Sequence, residues 1–357
     1  MRELIDKHWP VIRALILPYL VFLFLLSWPI EYQITSPGGL AEVGKTIVID
    51  YQPDKEVEGS FSTTYVMYVS RSTTFEFLVG YFSRYSDLSA VVPSDYTYTP
   101  SEEVTIAYLD RAQSVDASII VAYEKMHEIN PEIRIAYDVK AMVWGKTNYL
   151  SAYETIDFGD EFVQLVADGG LVITEADYLS TPGIIATNTT AGTSYAWTFR
   201  NEEGEEYVVD VVKNADKNAF GLTLKTYYVV DEENTWPAFR ELGSLIGGPS
   251  GGLLQTLYVY NCLSETDITH GLKIAGTGTI AYNGTAGDIG GVKQKIATAY
   301  VFGVDLFFID HHSMDNPYDD YVEALAACEE LGIEDTSWII PVASFQDCLD
   351  YLDGLGD

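Results

Sequence analysis

The chain has 357 residues, with 53 acidic against 20 basic side chains and a formal net charge of −33. So small a basic complement excludes nucleic acid as a partner, because phosphate backbones are held by Lys and Arg patches. The 47% share of apolar residues supplies core for two or three domains. Cys262, Cys328 and Cys348 show no C-x-x-C spacing and are odd in number, so they read as small buried residues rather than a disulfide framework.

From Trp9 to Ile30 the chain reads WPVIRALILPYLVFLFLLSWPI, with Arg13 its only charge. The uncharged part, Ala14 to Ile30, has 17 residues, at the lower edge of what crosses a bilayer. No small-x-small cleavage site follows, so the segment is expected to be a retained anchor. Arg2, Lys7 and Arg13 precede it and Glu31 follows. The excess of positive charge on that side puts the N-terminus in the cytoplasm and everything beyond about residue 31 outside.

GLAEVGKT (39–46) satisfies G-x-x-x-x-G-K-[ST] letter for letter. A phosphate-binding loop needs a strand before its glycine turn and a helix after it. Here the match is followed by TIVIDY (46–51), a β-branched run with strand alternation. It reads as a turn entering a strand, and no ATP site is expected. A polar turn and the strand FSTTYVMYVS come next. Thr99-Pro100-Ser101-Glu102 then carries a capping box with proline at the first helical position. Helical spacing continues through Val104, Ala107, Leu109, Ala112, Val115, Ile119, Ala122 and Met126 until Asn130-Pro131. That helix is expected to pack on a sheet without catalytic content. From about 134 to 230 the pattern changes to short strands and turns, with a helix near 173–180. DEENTWP (231–237) reads as a linker.

The last 120 residues carry the chemistry. In LIGGPSGGLLQTLYVYNCL a Gly-Gly-Pro turn sets Ser250 at the first turn of an apolar helix, beside unsatisfied backbone N–H groups and the positive end of the helix dipole. That environment suits an oxyanion formed in acyl transfer. Gly251 and Gly252 are poor helix residues and are expected to let a substrate backbone approach. A serine nucleophile needs a base. His270 adjoins a turn, and His311 and His312 lie beyond a strand, so none of them is a good candidate. Lysine serves if burial depresses its pKa from about 10.4 toward 7–8, at a cost of about 4 kcal/mol. It must then be desolvated and have no carboxylate partner. The second block, GLKIAGTGTIAYNGTAGDIGGVKQKIATAYVFGVDLFFI (271–309), reads as a strand, a Gly-rich loop, a helix opening near Gly291 that carries Lys293 and Lys295, and a further strand.

GGPSGG (247–252), GTGTI (276–280) and GDIGGVKQK (287–295) resemble the signature blocks of the Lon-type serine–lysine peptidases. Ser250 and Lys295 are 45 positions apart, close to that family's spacing. The anchor, TSPGG (35–39), STTYVMYVS and AQSVDASIIVAYEK (112–125) further resemble the membrane-tethered, ATP-independent branch with a PDZ-type domain. The resemblance implies Ser250 as nucleophile, Lys295 as general base and Thr277 as the hydroxyl that orients the lysine. Gly248, Pro249 and Gly251 would support the serine. Lys293, two positions away on the helix, points elsewhere. The implied partners are extracytoplasmic or membrane-tethered polypeptides, with copies in a ring-like homo-oligomer; no cofactor, metal or nucleotide is implied. Two departures matter. Asp288 stands where a proline is common, and its carboxylate must point away from Lys295. The middle region matches a PDZ-type domain only through DFGDEFVQLVADG (157–169), without a clear carboxylate-binding loop.

Asp310-His-His-Ser-Met-Asp315 offers possible metal ligands but no spaced third one on a defined element, and reads as a polar loop. The expected fold class is α+β. A cytoplasmic tail (1–12) and transmembrane anchor (13–30) lead into a segment of strands and one long helix (31–133). A degenerate PDZ-like β-rich domain (134–230) and a Lon-type α/β protease domain (235–357) follow. The expected function is ATP-independent serine endopeptidase; the alternative is a non-catalytic membrane-anchored binding module with a vestigial protease domain.

Overall fold

The computed structural model describes residues 2–51, 53, 55–91 and 98–356 of the chain, the first six of these by backbone alone. It is a mixed α+β protein. The first helix, α1 (Arg2–Ser27), includes a stretch, His8–Ser27, with mean hydropathy 2.1 and no part of its most apolar window covered by the rest of the protein. It is long and apolar enough to cross a membrane. Strands β1 (Tyr32–Glu42), β2 (Ile47–Ile49) and β3 (Ser60–Val69) follow, then helix α2 (Thr74–Tyr81), strand β4 (Asp87–Ala90) and the long helix α3 (Pro100–His127). The capping box read at Thr99 is formed: its side chain accepts from Glu102 N–H, and Glu102 reaches back to the Thr99 backbone.

The middle of the chain supplies β5 (Tyr137–Lys146), β6 (Glu161–Val166), β7 (Val172–Thr174), helices α4 (Glu175–Ser180) and α5 (Ile184–Thr187), then β8 (Ser194–Arg200), β9 (Glu206–Val212) and β10 (Leu222–Val230). These strands form an antiparallel sheet in the order β10-β5-β6-β8-β9, with β7 on β6. Phe162, Trp197 and Phe199 centre its own buried core.

The remainder runs β11 (Phe239–Glu241), α6 (Gly252–Leu263), β12 (Lys273–Thr277), β13 (Thr279–Ile280), β14 (Ala286–Gly287), α7 (Val292–Phe302), β15 (Leu306–Asp310), α8 (Asp320–Leu331), β16 (Ile339–Val342) and α9 (Phe345–Asp353). The principal sheet has the order β16-β15-β12-β3-β1-β4. Its strands β16, β15, β12 and β3 are parallel, and β1 and β4 close it antiparallel.

Segments 31–133 and 235–357, separate in the sequence reading, therefore contribute to one sheet. The physical reason lies in the apolar strands β12, β15 and β16. Ile274, Phe308 and Ile340 point into a core shared with α3, α6 and α9, while Ala275, Phe307, Ile309 and Ile339 point into a second core under α7 and α8. A parallel sheet buried on both faces cannot leave an inner edge open, and β3 covers the free edge of β12.

The GLAEVGKT segment lies in β1 and a single tight turn, Val43–Lys45, before β2. Lys45 is turned to Glu42 at 2.8 Å. No helix N-terminus follows the glycine and lysine, so the motif lacks the geometry that cradles phosphate.

Candidate active site

Three elements converge on one cleft. The turn before α6 carries Gly248, Pro249, Ser250 and Gly251; the end of β12 carries Thr277; the first turn of α7 carries Lys295. All but Thr277 line a cleft of about 910 Å³, together with residues of β3 and the loop 288–291. The registered pairs of β12 with β3 run only as far as Gly276↔Thr63. Beyond that point residues 64–68 of β3 border the cleft.

The serine turn is fixed through its backbone. The Ser250 carbonyl accepts from Gly278 N–H at 2.9 Å and from Thr277 Oγ1–H at 3.1 Å. Leu253 N–H, in the first turn of α6, donates to Gly278 O at 3.1 Å. From the other side, α3 provides Ser114, which donates to Pro249 O at 2.9 Å, and Ser118, which donates to Gly252 O at 2.9 Å. The sequence reading gave α3 no part in the site. The signal was present: Arg111, Ser114 and Ser118 form a polar stripe at helical spacing inside an otherwise apolar face, and all three are buried.

Lys295 is 2% exposed and donates to Thr277 Oγ1 at 2.9 Å. Thr277 is itself fully buried. Burial pushes the Lys295 amine down to about 8, opposed by the negative charge of Asp320. Its neighbour Lys293 takes the opposite course, bonding to Asp87 and Glu330 at 3.1 and 2.5 Å. The expected concern over Asp288 resolves in favour of another carboxylate. The charge acting on Lys295 is Asp320, on α8, whereas the Asp288 carboxylate groups with Asp310 and Asp320.

Two expectations about the glycines and amides need correction. Gly248 N–H donates to Ala107 O at 2.7 Å and Pro249 has no N–H, so neither offers an amide to an oxyanion. Ser250 N–H and Gly251 N–H have no hydrogen-bond partner among the described residues, as the opening N–H groups of a helix should. Gly251 and Gly252 also owe their lack of side chains to the protein's own packing. A Cβ on Gly252 would lie 2.7 Å from both Ser114 Oγ and Ile280 Cγ2, and one on Gly251 would lie 3.1 Å from Thr63 Cγ2. Gly252→Ala is expected to cost about 1–3 kcal/mol by overpacking, read as a lower Tm. An unchanged Tm would show that α3 and α6 are not so closely apposed.

Asp310, at the head of the segment 310–315 that reads as a polar loop, belongs to a second constellation. Asp310, at the end of β15, Asp320, at the start of α8, and Asp288 each present a carboxylate oxygen within 4.8 Å of the others. His311 and His312 are not its ligands in this arrangement. His311 pairs with Asp319 at 2.9 Å; the Asp319 carboxyl, despite burial, is held low by that bond and by backbone N–H groups including those of Ser313 and His312.

No protein-family model matches the chain. Over 105 residues, 29% of this chain, it is 30% identical to a protein named Lon protease from Mesomycoplasma hyopneumoniae (strain 232), of which the match covers 11%. This similarity is distant and confined to that stretch, so the chain spans only a small part of the length of the relative it matches.

Proposed function

We propose that the chain is a membrane-anchored serine endopeptidase that works without nucleotide, with Ser250 as nucleophile and Lys295 as general base. One observation carries the reading: a buried lysine bonded to a threonine hydroxyl, and not to an acid, opens on the same cleft as a serine at a helix start. The neutral amine takes the Ser250 proton as the serine oxygen attacks the peptide carbonyl. The backbone N–H groups of Ser250 and Gly251 hold the oxyanion. The protonated amine then passes its proton to the leaving amine nitrogen, and in the second half it activates the water that releases the acyl group. Thr277 positions both partners, since one hydroxyl ties the Lys295 amine to the Ser250 backbone. A substrate strand laid beside residues 64–68 of β3 would bring its carbonyl to the serine.

Membrane attachment through α1 belongs to the same reading, with the cleft on the extracytoplasmic side. Phe22 of α1 meets Phe75 of α2 edge-to-face at 5.9 Å. Beyond it, Val79, Tyr81 and Phe82 are exposed, Phe82 at 81%. Aromatic side chains at the end of a spanning helix suit the headgroup layer. The middle antiparallel sheet is assigned to a PDZ-like, partner-binding role within this proposal.

The test is direct. Full-length protein in detergent micelles is expected to cut casein into discrete fragments with no nucleotide added, read by mass spectrometry. Intact casein after prolonged incubation, with and without ATP, would sink the reading.

A further inference from the structure

We propose that Asp288, Asp310 and Asp320 form a binding site for a divalent cation, with Ca²⁺ favoured over Mg²⁺. The site does not depend on the peptidase reading. Asp310 carries the argument. It is fully buried, and neither carboxylate oxygen has a hydrogen-bond partner among the described residues. His312 Nε2 lies 3.3 Å from Oδ1 but without hydrogen-bond geometry, on a ring that is half exposed. A buried carboxylate with both oxygens unsatisfied is among the least tolerable groups in a protein interior unless a cation or a proton meets it. Asp320 is also buried, and one of its oxygens accepts from Ile289 N–H at 3.0 Å. Asp288 stands exposed at the rim of the cleft.

The three carboxylates come from different elements and meet at the C-terminal end of a parallel strand, the end of such sheets where ligands gather. An all-oxygen set with no imidazole or thiolate selects hard cations. The three oxygens lie within 4.8 Å of one another, close enough to share one ion, and three protein carboxylates suit Ca²⁺, whereas Mg²⁺ usually keeps several waters and takes one or two. Water entering past Asp288 would complete the coordination. Because Asp320 holds Ile289 N–H and Asp288 precedes it, an ion here would tie the loop 288–291 to β15 and α8, just ahead of the helix that bears Lys295.

The competing account gives Asp310 and Asp320 protons in place of an ion. To separate them, the full chain in detergent micelles is stripped with EGTA and titrated with Ca²⁺, then separately with Mg²⁺, following thermal unfolding and binding heat. Saturating Ca²⁺ is expected to raise Tm by about 5 °C or more. Asp310→Asn should abolish the shift, and Asp288→Asn, at the exposed rim and so safe for folding, should weaken Ca²⁺ binding roughly tenfold. No Ca²⁺ shift in the wild type, or a shift kept undiminished in Asp288→Asn, overturns the site; an equal shift with Mg²⁺ overturns the preference. The readout involves no peptide cleavage, so its failure leaves the Ser250–Lys295 proposal standing.

Discussion

Ser250→Ala, Lys295→Met and the double variant are expected to lose casein cleavage to the same extent, at least about a thousandfold each, with no further loss in the double. Equal, non-additive losses follow when one group takes its proton from the other. Without Oγ there is nothing for the amine to deprotonate; without the amine the hydroxyl stays a poor nucleophile. The two single variants should part company in stability. Ser250 is held through its carbonyl by Gly278 and Thr277, so removing its hydroxyl leaves that anchorage intact and the unfolding free energy within about 0.5 kcal/mol of the wild type. Lys295→Met removes an amine kept from water and replaces it with a side chain of similar length, so Tm should rise. Measured kcat/KM against a quenched peptide, with unfolding curves for all four proteins, decides the matter. Residual cleavage in Ser250→Ala near the wild-type rate would end the case for this nucleophile, and additive losses would break the coupling between the two residues.

The fold was legible where local rules and burial agreed. Thr99, Pro100 and Glu102 announce the start of α3, and the apolar run before Ile30 announces α1, because capping and hydropathy act within a few residues. Partnership between distant strands was not legible. That β3 should seal β12 across more than two hundred residues of chain leaves no mark in either strand, since β12 is apolar on both faces for the sake of its own cores and β3 gives only Phe61 to one of them. Of the residues proposed for the site, Ser250 stood out through its Gly-Gly-Pro turn and Lys295 as one of two lysines opening α7, whereas Thr277 came from the resemblance alone. Which backbone N–H groups of the serine turn are free was not legible: only the coordinates reveal that Gly248 N–H is already spent on Ala107. Asp288, Asp310 and Asp320 were passed over for a related reason. Their grouping comes from a loop, a strand end and a helix start that no linear spacing connects.

Cleavage is expected to be weak at neutral pH and to rise about tenfold per pH unit up to a plateau above about 8. Burial lowers the Lys295 amine from 10.5 to about 8, with the charge of Asp320 set against it. Below that value the folded enzyme carries an ammonium, which cannot accept the serine proton; above it the amine is free. The same titration has a thermodynamic face. Between about 8 and 10.5 the unfolded chain keeps a proton on this lysine that the folded chain has released, so the folded form gains stability as pH rises through that window. Below about 8 both forms are protonated and the full cost of the buried charge, about 3 kcal/mol for this displacement, is borne by the native state. Lys295→Met should therefore exceed the wild type in stability by most at pH 7, with the gap closing as pH approaches 10.5. Comparing the two proteins at each pH cancels the titration of groups they share, including the acidic cluster on α8 and β15. A stability gap that does not change from pH 7 to 10.5, or a cleavage rate already at its plateau at pH 6, would mean that Lys295 is not the group that must lose its proton.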